Sequence, residues 1–224
     1  MILIFDLDDT LYEEITYVKS GFLEVSKYAN KKYGFNIDSS LNYMNNTLEM
    51  LGRGKVFDEF LKSKNLFTQK RLKKFISTYR NHKPKISIFE ESKKILKKRS
   101  KQIYLVTDGN KIVQANKIKA LCIEQFFKKI FITHRYGIHH SKPSLYCFEL
   151  IKKKEKCDWK DLIYIGDNPE KDFINLNIKG ATTIRVLTGA HSKKKAKKGY
   201  DAKYKIKNIG DLEPLINKLI TKKE

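Results

Sequence analysis

An α/β architecture is expected for this chain: a Rossmann-like parallel sheet core with helices on both faces, plus an all-helical cap subdomain. Three observations predict it. Short apolar runs rich in Ile and Val recur, helix-period segments separate the later runs, and one long interval carries helical periodicity alone. The first apolar run, residues 2–6, precedes that interval. The others fall at 103–107, 130–133, 162–166 and 182–186, each ending in polar, turn-prone residues.

Helical patterns at 92–98, 113–121, 145–154 and 171–176 each precede one of these runs, the alternation that a covered parallel sheet requires. A last helix is expected over 211–220, with Asp211 as its N-cap and Pro214 tolerated in its first turn. From about residue 13 to residue 80 only helical periodicity is found. Val18, Phe22, Val25 and Ala29 share one face, and breaks fall near Gly34, around Gly52 and Gly54, and at Asn65. The expected division is a core of residues 1–12 and 81–224 and a helical cap of residues 13–80.

The 224 residues carry a net charge of +22. That charge draws anions of every kind, phosphorylated metabolites and nucleic acid included. The lysines are spread along the whole chain, however, and the densest run, Lys193 to Lys198, reads as a solvated loop. No nucleic-acid module accompanies them, which weighs against a nucleic-acid partner. No apolar run approaches the roughly 18 residues of a membrane helix. No basic segment at the amino end leads into a long apolar stretch, so neither a membrane nor a cleaved signal is expected. Cys122, Cys147 and Cys157 have no metal-type spacing, and reduced thiols in a cytoplasmic protein are the expectation.

The chemistry concentrates where strands end. Ligands of a parallel α/β sheet bind beyond the carboxyl ends of the strands, where the strand order reverses. Asp6, Thr107 and Asp167 each stand at or just past such an end. Asp6, Asp8 and Asp9 crowd three carboxylates into four residues, and a second acidic segment, "YIGDNPEKDF", holds Asp167 and Asp172. Carboxylates gathered on one point make sense around a hard divalent cation such as Mg²⁺, which takes few carboxylates plus water and phosphate oxygens. Lys142 offers a point charge that balances the remainder and holds a phosphate oxygen. Thr107 offers a hydroxyl, and the backbone N–H groups that follow it a cradle for the same anion.

The segments "FDLDDTLY", "LVTDG", "KPSLYCFE" and "IGDNPEKDF", in that order, resemble the four signature motifs of the haloacid dehalogenase superfamily. The likeness runs from Met1 to about Val186, and the helical insertion sits where one branch of the superfamily places its cap. The resemblance implies Asp6 as a nucleophile that forms an aspartyl-phosphate, and Asp8 as general acid and then base, with its carbonyl on Mg²⁺. It implies Thr107 and the backbone near Asp108 as phosphoryl binders and Lys142 as the charge stabiliser. Asp167 would ligate Mg²⁺, and Asp172 would orient Lys142 or a metal-bound water. Members that cleave carbon–halogen bonds lack the second aspartate, so Asp8 favours phosphoryl transfer.

Outside the motifs, Asp9 reads as a turn or capping residue. His134, His139 and His140 read as a solvated loop at the site's rim. Gly109, Asn110 and Arg53 are candidate contacts for a phosphorylated substrate, Arg80 and His82 lie near the expected hinge, and the resemblance implies that the loop holding Tyr12 and Glu13 contributes to specificity. The leading expectation is an Mg²⁺-dependent phosphatase acting on a small phosphomonoester, a sugar phosphate or a nucleotide. An intramolecular phosphomutase and a basic nucleic-acid-binding protein are the alternatives. Nothing in the sequence fixes the oligomeric state.

Overall fold

The computed structural model describes residues 1–221. Six strands, β1 (Ile2–Phe5), β2 (Ile103–Thr107), β3 (Phe127–Ile132), β4 (Leu162–Gly166), β5 (Thr182–Val186) and β6 (Tyr204–Ile206), form one sheet in the order β3-β2-β1-β4-β5-β6. Every pairing is parallel. The strands nearest the centre are the most apolar because both of their faces are covered. Ile4, Tyr104, Val106, Leu162 and Tyr164 meet Cys147, Phe148, Ile151, Phe173 and Leu176 in one cluster. Their alternating neighbours Leu3, Phe5, Leu105, Ile163 and Ile165 are buried as well.

Helices α5 (Glu90–Lys98), α6 (Lys111–Ala120), α7 (Tyr146–Glu155) and α8 (Ile174–Ile178) intervene between these strands, and α9 (Leu212–Thr221) follows the last. Several local expectations change: the strand expected at 130–133 runs Phe127–Ile132, and the helix expected over 171–176 is Ile174–Ile178. Strand β6 was not anticipated: it is three residues long at the sheet edge, and of its side chains only Ile206 is buried. Asp211 does not cap α9. A 3₁₀ turn at Ile209–Asp211 precedes that helix, Asn208 caps the turn, and the Asp211 carboxylate accepts from the Asn208 N–H at 3.4 Å.

The chain divides into two compact units, Met1–Glu14 with the chain from Ser87 onward, and Ile15–Ile86. The second unit runs past residue 80 because Lys85 N–H donates to Ser20 Oγ (2.9 Å) and the buried His82 faces the same hydroxyl (3.2 Å). The sheet unit resumes where the Phe89 N–H donates to Leu11 O (3.0 Å). Helix α1 (Glu14–Tyr33) buries Val18, Phe22, Val25 and Ala29 as one stripe. It is followed by α2 (Ile37–Leu51), α3 (Val56–Ser63) and α4 (Gln69–Asn81). Caps set the starts of α2 and α4: Asn36 accepts from the Ser39 N–H (2.9 Å) and Thr68 from the Arg71 N–H (3.2 Å). Among the described residues no helix is long and apolar enough to cross a membrane.

The helical unit's core is aromatic. Phe75 is fully buried, with the rings of Tyr28, Phe60 and Phe57 at centroid distances of 5.6, 5.9 and 6.2 Å. Truncating such a ring leaves a cavity that the neighbours fill only in part. Phe75→Ala should therefore lose about 3–5 kcal/mol of stability, read as a lowered urea midpoint of the helical signal.

Candidate active site

Three neighbouring strands, β2, β1 and β4, end side by side at the point where the strand order reverses between β1 and β4. Asp6 follows β1 directly, Thr107 is the last residue of β2, and Asp167 follows β4. The Asp6 N–H donates to Ile165 O (2.8 Å), which extends the β1–β4 pairing by one step and brings the two acids together. Gly166 is required there. A Cβ at that position would stand 2.6 Å from Asp172 Oδ2, so only glycine lets the Asp172 carboxylate close over the strand end.

Lys142 enters from the loop before α7 and is almost fully enclosed. Its Nζ lies 3.0 Å from Asp6 Oδ2 and 2.8 Å from Asp172 Oδ1, and it donates to Tyr164 Oη at 2.7 Å. Burial alone would drive a lysine towards neutrality, but the charges of Asp172 and Asp6 outweigh it and raise its proton affinity well above the ordinary value. The other Asp172 oxygen accepts from the Asn168 N–H (2.9 Å), so Asp172 orients Lys142 with both oxygens engaged.

Oxygen atoms of Asp6, Asp167 and Asp172 all lie within 4.8 Å of one another. Burial pushes Asp6 up to about 7, opposed by Lys142, and pushes Asp167 up to about 9, where the charges of Asp172 and Asp6 add to it. No lysine or arginine pairs with Asp167 among the described residues. A buried carboxylate beside two others, without a cation of its own, suits a hard divalent ion. These oxygen donors fit Mg²⁺.

Asp8 lies apart from that cluster's ammonium and has its own partners. Tyr12 Oη donates to Asp8 Oδ1 (2.5 Å), Gln114 Nε2 to Asp8 Oδ2 (2.9 Å), and Lys117 Nζ pairs with Oδ1 at 2.7 Å. Burial opposes ionisation of Asp8, but Lys117 and these hydrogen bonds hold its carboxyl below the usual range. Gln114 also donates to Thr107 Oγ1 (2.6 Å), linking the two strand-end groups. Gln114 and Lys117 were not singled out from sequence. The one signal is their i,i+3 spacing on a helix face where apolar residues belong.

The remaining candidates take varied places. The Asp108 carboxylate accepts from Thr133 Oγ1 (2.8 Å), the Lys142 N–H (3.1 Å) and Lys171 Nζ (3.0 Å), so its side chain braces the loop and only its backbone points to ligand binding. Asn110 Oδ1 caps α6 through the Ile112 N–H (3.0 Å), and Gly109 has a φ of 129° just before it. Arg53 is exposed in a 3₁₀ turn of the helical unit. Asp9, at φ 53°, caps α1: its Oδ1 accepts from the Glu14 N–H (2.8 Å), and its Oδ2 from the Ala190 N–H (3.1 Å). Thr188 Oγ1 donates to the Asp9 carbonyl. Gly189, at φ 61°, fits there because a Cβ would fall 1.9 Å from Asp9 Cγ. His139 and His140 form a partly solvated pair, His140 stacked on Tyr146, and all three cysteines are free.

This parallel sheet, with acids grouped at the ends of β1 and β4 and a threonine at the end of β2, belongs to a known class: residues 3–186 match the haloacid dehalogenase-like hydrolase family, and the chain is an enzyme of that family. It is 28% identical to the glyceraldehyde 3-phosphate phosphatase of Methanocaldococcus jannaschii over 96% of this chain and 95% of that one. In fold it resembles the HAD-family protein YfnB of Bacillus subtilis, crystallised with magnesium, at a TM-score of 0.71 and 17% identity, covering 96% of this chain and 98% of that one. It also resembles the 2-haloacid dehalogenase of Pseudomonas syringae pv. Tomato, at a TM-score of 0.63 and 18% identity over 98% and 100% of the two chains.

The acid cluster has a consequence for stability. Asp6 and Asp167 bind protons more tightly folded than unfolded, so in metal-stripped protein the native state holds the extra protons and loses that advantage as pH rises. The urea midpoint of EDTA-treated protein should fall between about pH 5 and pH 9. Asp167→Asn should flatten the fall, and added Mg²⁺ should raise the midpoint most at the alkaline end.

Proposed function

We propose that this enzyme is an Mg²⁺-dependent phosphatase that hydrolyses a small phosphomonoester through an aspartyl-phosphate. The observation that carries the reading is the presence of two separately supported carboxylates, Asp6 beside Lys142 and Asp8 beside Lys117, next to the Thr107 hydroxyl. A dehalogenase of the same fold has no leaving oxygen to protonate and no use for the second acid. The substrate class is a sugar phosphate or nucleotide, and the relative's activity makes a triose phosphate the first candidate.

In the first step an Asp6 carboxylate oxygen bonds to phosphorus as the bond from phosphorus to the ester oxygen breaks. The electron pair goes to that oxygen, which takes the Asp8 proton and leaves as the alcohol. A phosphate dianion placed beside Asp8 raises its proton affinity by like-charge proximity, the direction this step needs. In the second step water bonds to phosphorus and gives its proton to Asp8, and the bond from phosphorus to the Asp6 oxygen breaks. Phosphate leaves, the Asp6 carboxylate is restored, and Asp8 again holds one proton. Lys142 offsets charge on Asp6 and on the transferring phosphoryl group throughout. Thr107 Oγ1, accepting from Gln114, has its own proton available for a phosphoryl oxygen.

Asp6, Asp167 and the Asp8 carbonyl would hold Mg²⁺, with Asp172 acting through Lys142. When bound, the ion neutralises phosphoryl charge and orients the ester for in-line attack. On the same reading no nucleic acid or membrane partner is needed.

The test is phosphate release from glyceraldehyde 3-phosphate, other sugar phosphates, nucleotides and an aryl phosphate, with and without Mg²⁺. Release should require Mg²⁺, and Asp6→Asn should abolish it on every substrate. Asp8→Asn should lower kcat by about 10²–10⁴-fold, the usual size of a general acid–base contribution. Full activity in Asp6→Asn would exclude the covalent route. Interconversion of a sugar monophosphate with little phosphate released would favour the phosphomutase.

A further inference from the structure

Helix α6 buries a polar face. Gln114 and Lys117, three residues apart on it, are 1% and 2% exposed. A lysine this enclosed persists only where fixed charges compensate it. Lys117 Nζ lies between two carboxylates, 2.7 Å from Asp8 Oδ1 and 3.3 Å from Glu14 Oε1. Gln114 spans from Asp8 Oδ2 to Thr107 Oγ1, and Tyr12, itself fully buried, reaches Asp8 from the loop after β1.

We propose that Lys117, with Gln114 and Tyr12, forms a positioning set that fixes the direction of the Asp8 carboxylate and thereby selects the oxygen through which its proton moves. This rests on the phosphatase reading of Asp8. A carboxylate offers about four lone-pair positions. Tyr12 and Lys117 take two on Oδ1 and Gln114 takes one on Oδ2. The position left is on Oδ2, and proton transfer to the leaving oxygen and from water is assigned to that atom.

The donors come from two separate elements, the loop after β1 and α6, so rotating the Asp8 side chain breaks all three contacts at once. Lys117 is the principal member because its hydrogen bond joins two charges, and charge-assisted bonds are roughly twice as strong as neutral ones. Glu14 grips the same ammonium from its other side. Gln114 adds a fixed spacing between the proton-transfer carboxylate and the Thr107 hydroxyl. Lys117 touches no reacting atom in this scheme and acts through Asp8 alone.

Steady-state kinetics of the full-length enzyme on an aryl phosphate test this, with folding checked by thermal melting. Lys117→Met should lower kcat about 10- to 100-fold, a part of the usual general acid–base contribution, and leave KM within about threefold. Lys117→Arg, which restores the charge, should recover part of the loss. In the Asp8→Asn background Lys117→Met should cost less than about twofold more, because its effect runs through Asp8. Tyr12→Phe, which keeps the ring's packing, should repeat the pattern more weakly and carries the test if Lys117→Met does not fold. A raised KM at unchanged kcat, or an equal loss in the Asp8→Asn background, would overturn the positioning role. Wild-type enzyme that releases no phosphate from any substrate overturns the phosphatase reading itself. A working phosphatase indifferent to Lys117→Met and Tyr12→Phe overturns this inference alone.

Discussion

The Lys142 ammonium, enclosed between Asp6, Asp172 and the Tyr164 hydroxyl, is the interaction on which the site depends. A lone ion in that position carries a desolvation penalty of several kcal/mol, and so does each carboxylate it faces. Together they are tolerable, and only in one arrangement. The ammonium donates to Tyr164 Oη and is ion-paired with both carboxylates, the Asp172 carboxylate is fixed in turn by the Asn168 N–H, and that carboxylate fits because position 166 has no side chain. The strand register supplies the rest: the Asp6 N–H on Ile165 O puts the nucleophile candidate one step from Asp167. A change at any of these points reaches Asp6 through a short chain of contacts.

The charge distribution is local rather than global. A net charge of +22 says little about a site in which each lysine is matched to particular acids. Lys142 serves Asp6 and Asp172, and Lys117 serves Asp8 and Glu14. The two carboxylates of the first motif shift in opposite directions: burial pushes Asp6 up despite Lys142, and Lys117 with its neighbouring hydrogen bonds holds Asp8 down. Asp167 stands outside both lysine pairs.

Much of this was legible in the sequence because parallel strands write their ends in the chain. A buried run of β-branched residues stopping at Asp6, at Thr107 or before Asp167 marks both the strand and the residue at its carboxyl end. Central strands β2, β4 and β5 were therefore read with the bounds observed. Edge structure was not: β6 is short, half polar and pinned mainly by Ile206. Nor were Gln114, Lys117 and Tyr164 legible as site residues. A buried lysine on a helix looks in one dimension like any solvated lysine, and this chain has many. Tyr164 reads as one more aromatic in a strand until its hydroxyl is seen between Lys142 and Asp172. Asp108 and Asn110 were legible as neighbours of the site, but their side-chain oxygens brace a loop and cap a helix.

The loop that bears Asp8 leans on a part of the chain just past the residues that match the family. The family match covers residues 3–186, and Asp9 is held by the Ala190 N–H and the Thr188 hydroxyl just past it and sits where Gly189 leaves room. The segment after β5 is thus a mould for the loop that bears Asp8 and Asp9. A chimera that joined this core to a relative's carboxyl-terminal piece would inherit every motif and still reshape the turn between Asp8 and α1. Residues 3–186 carry the motifs, and the segment after them helps fix the turn in which Asp8 and Asp9 stand.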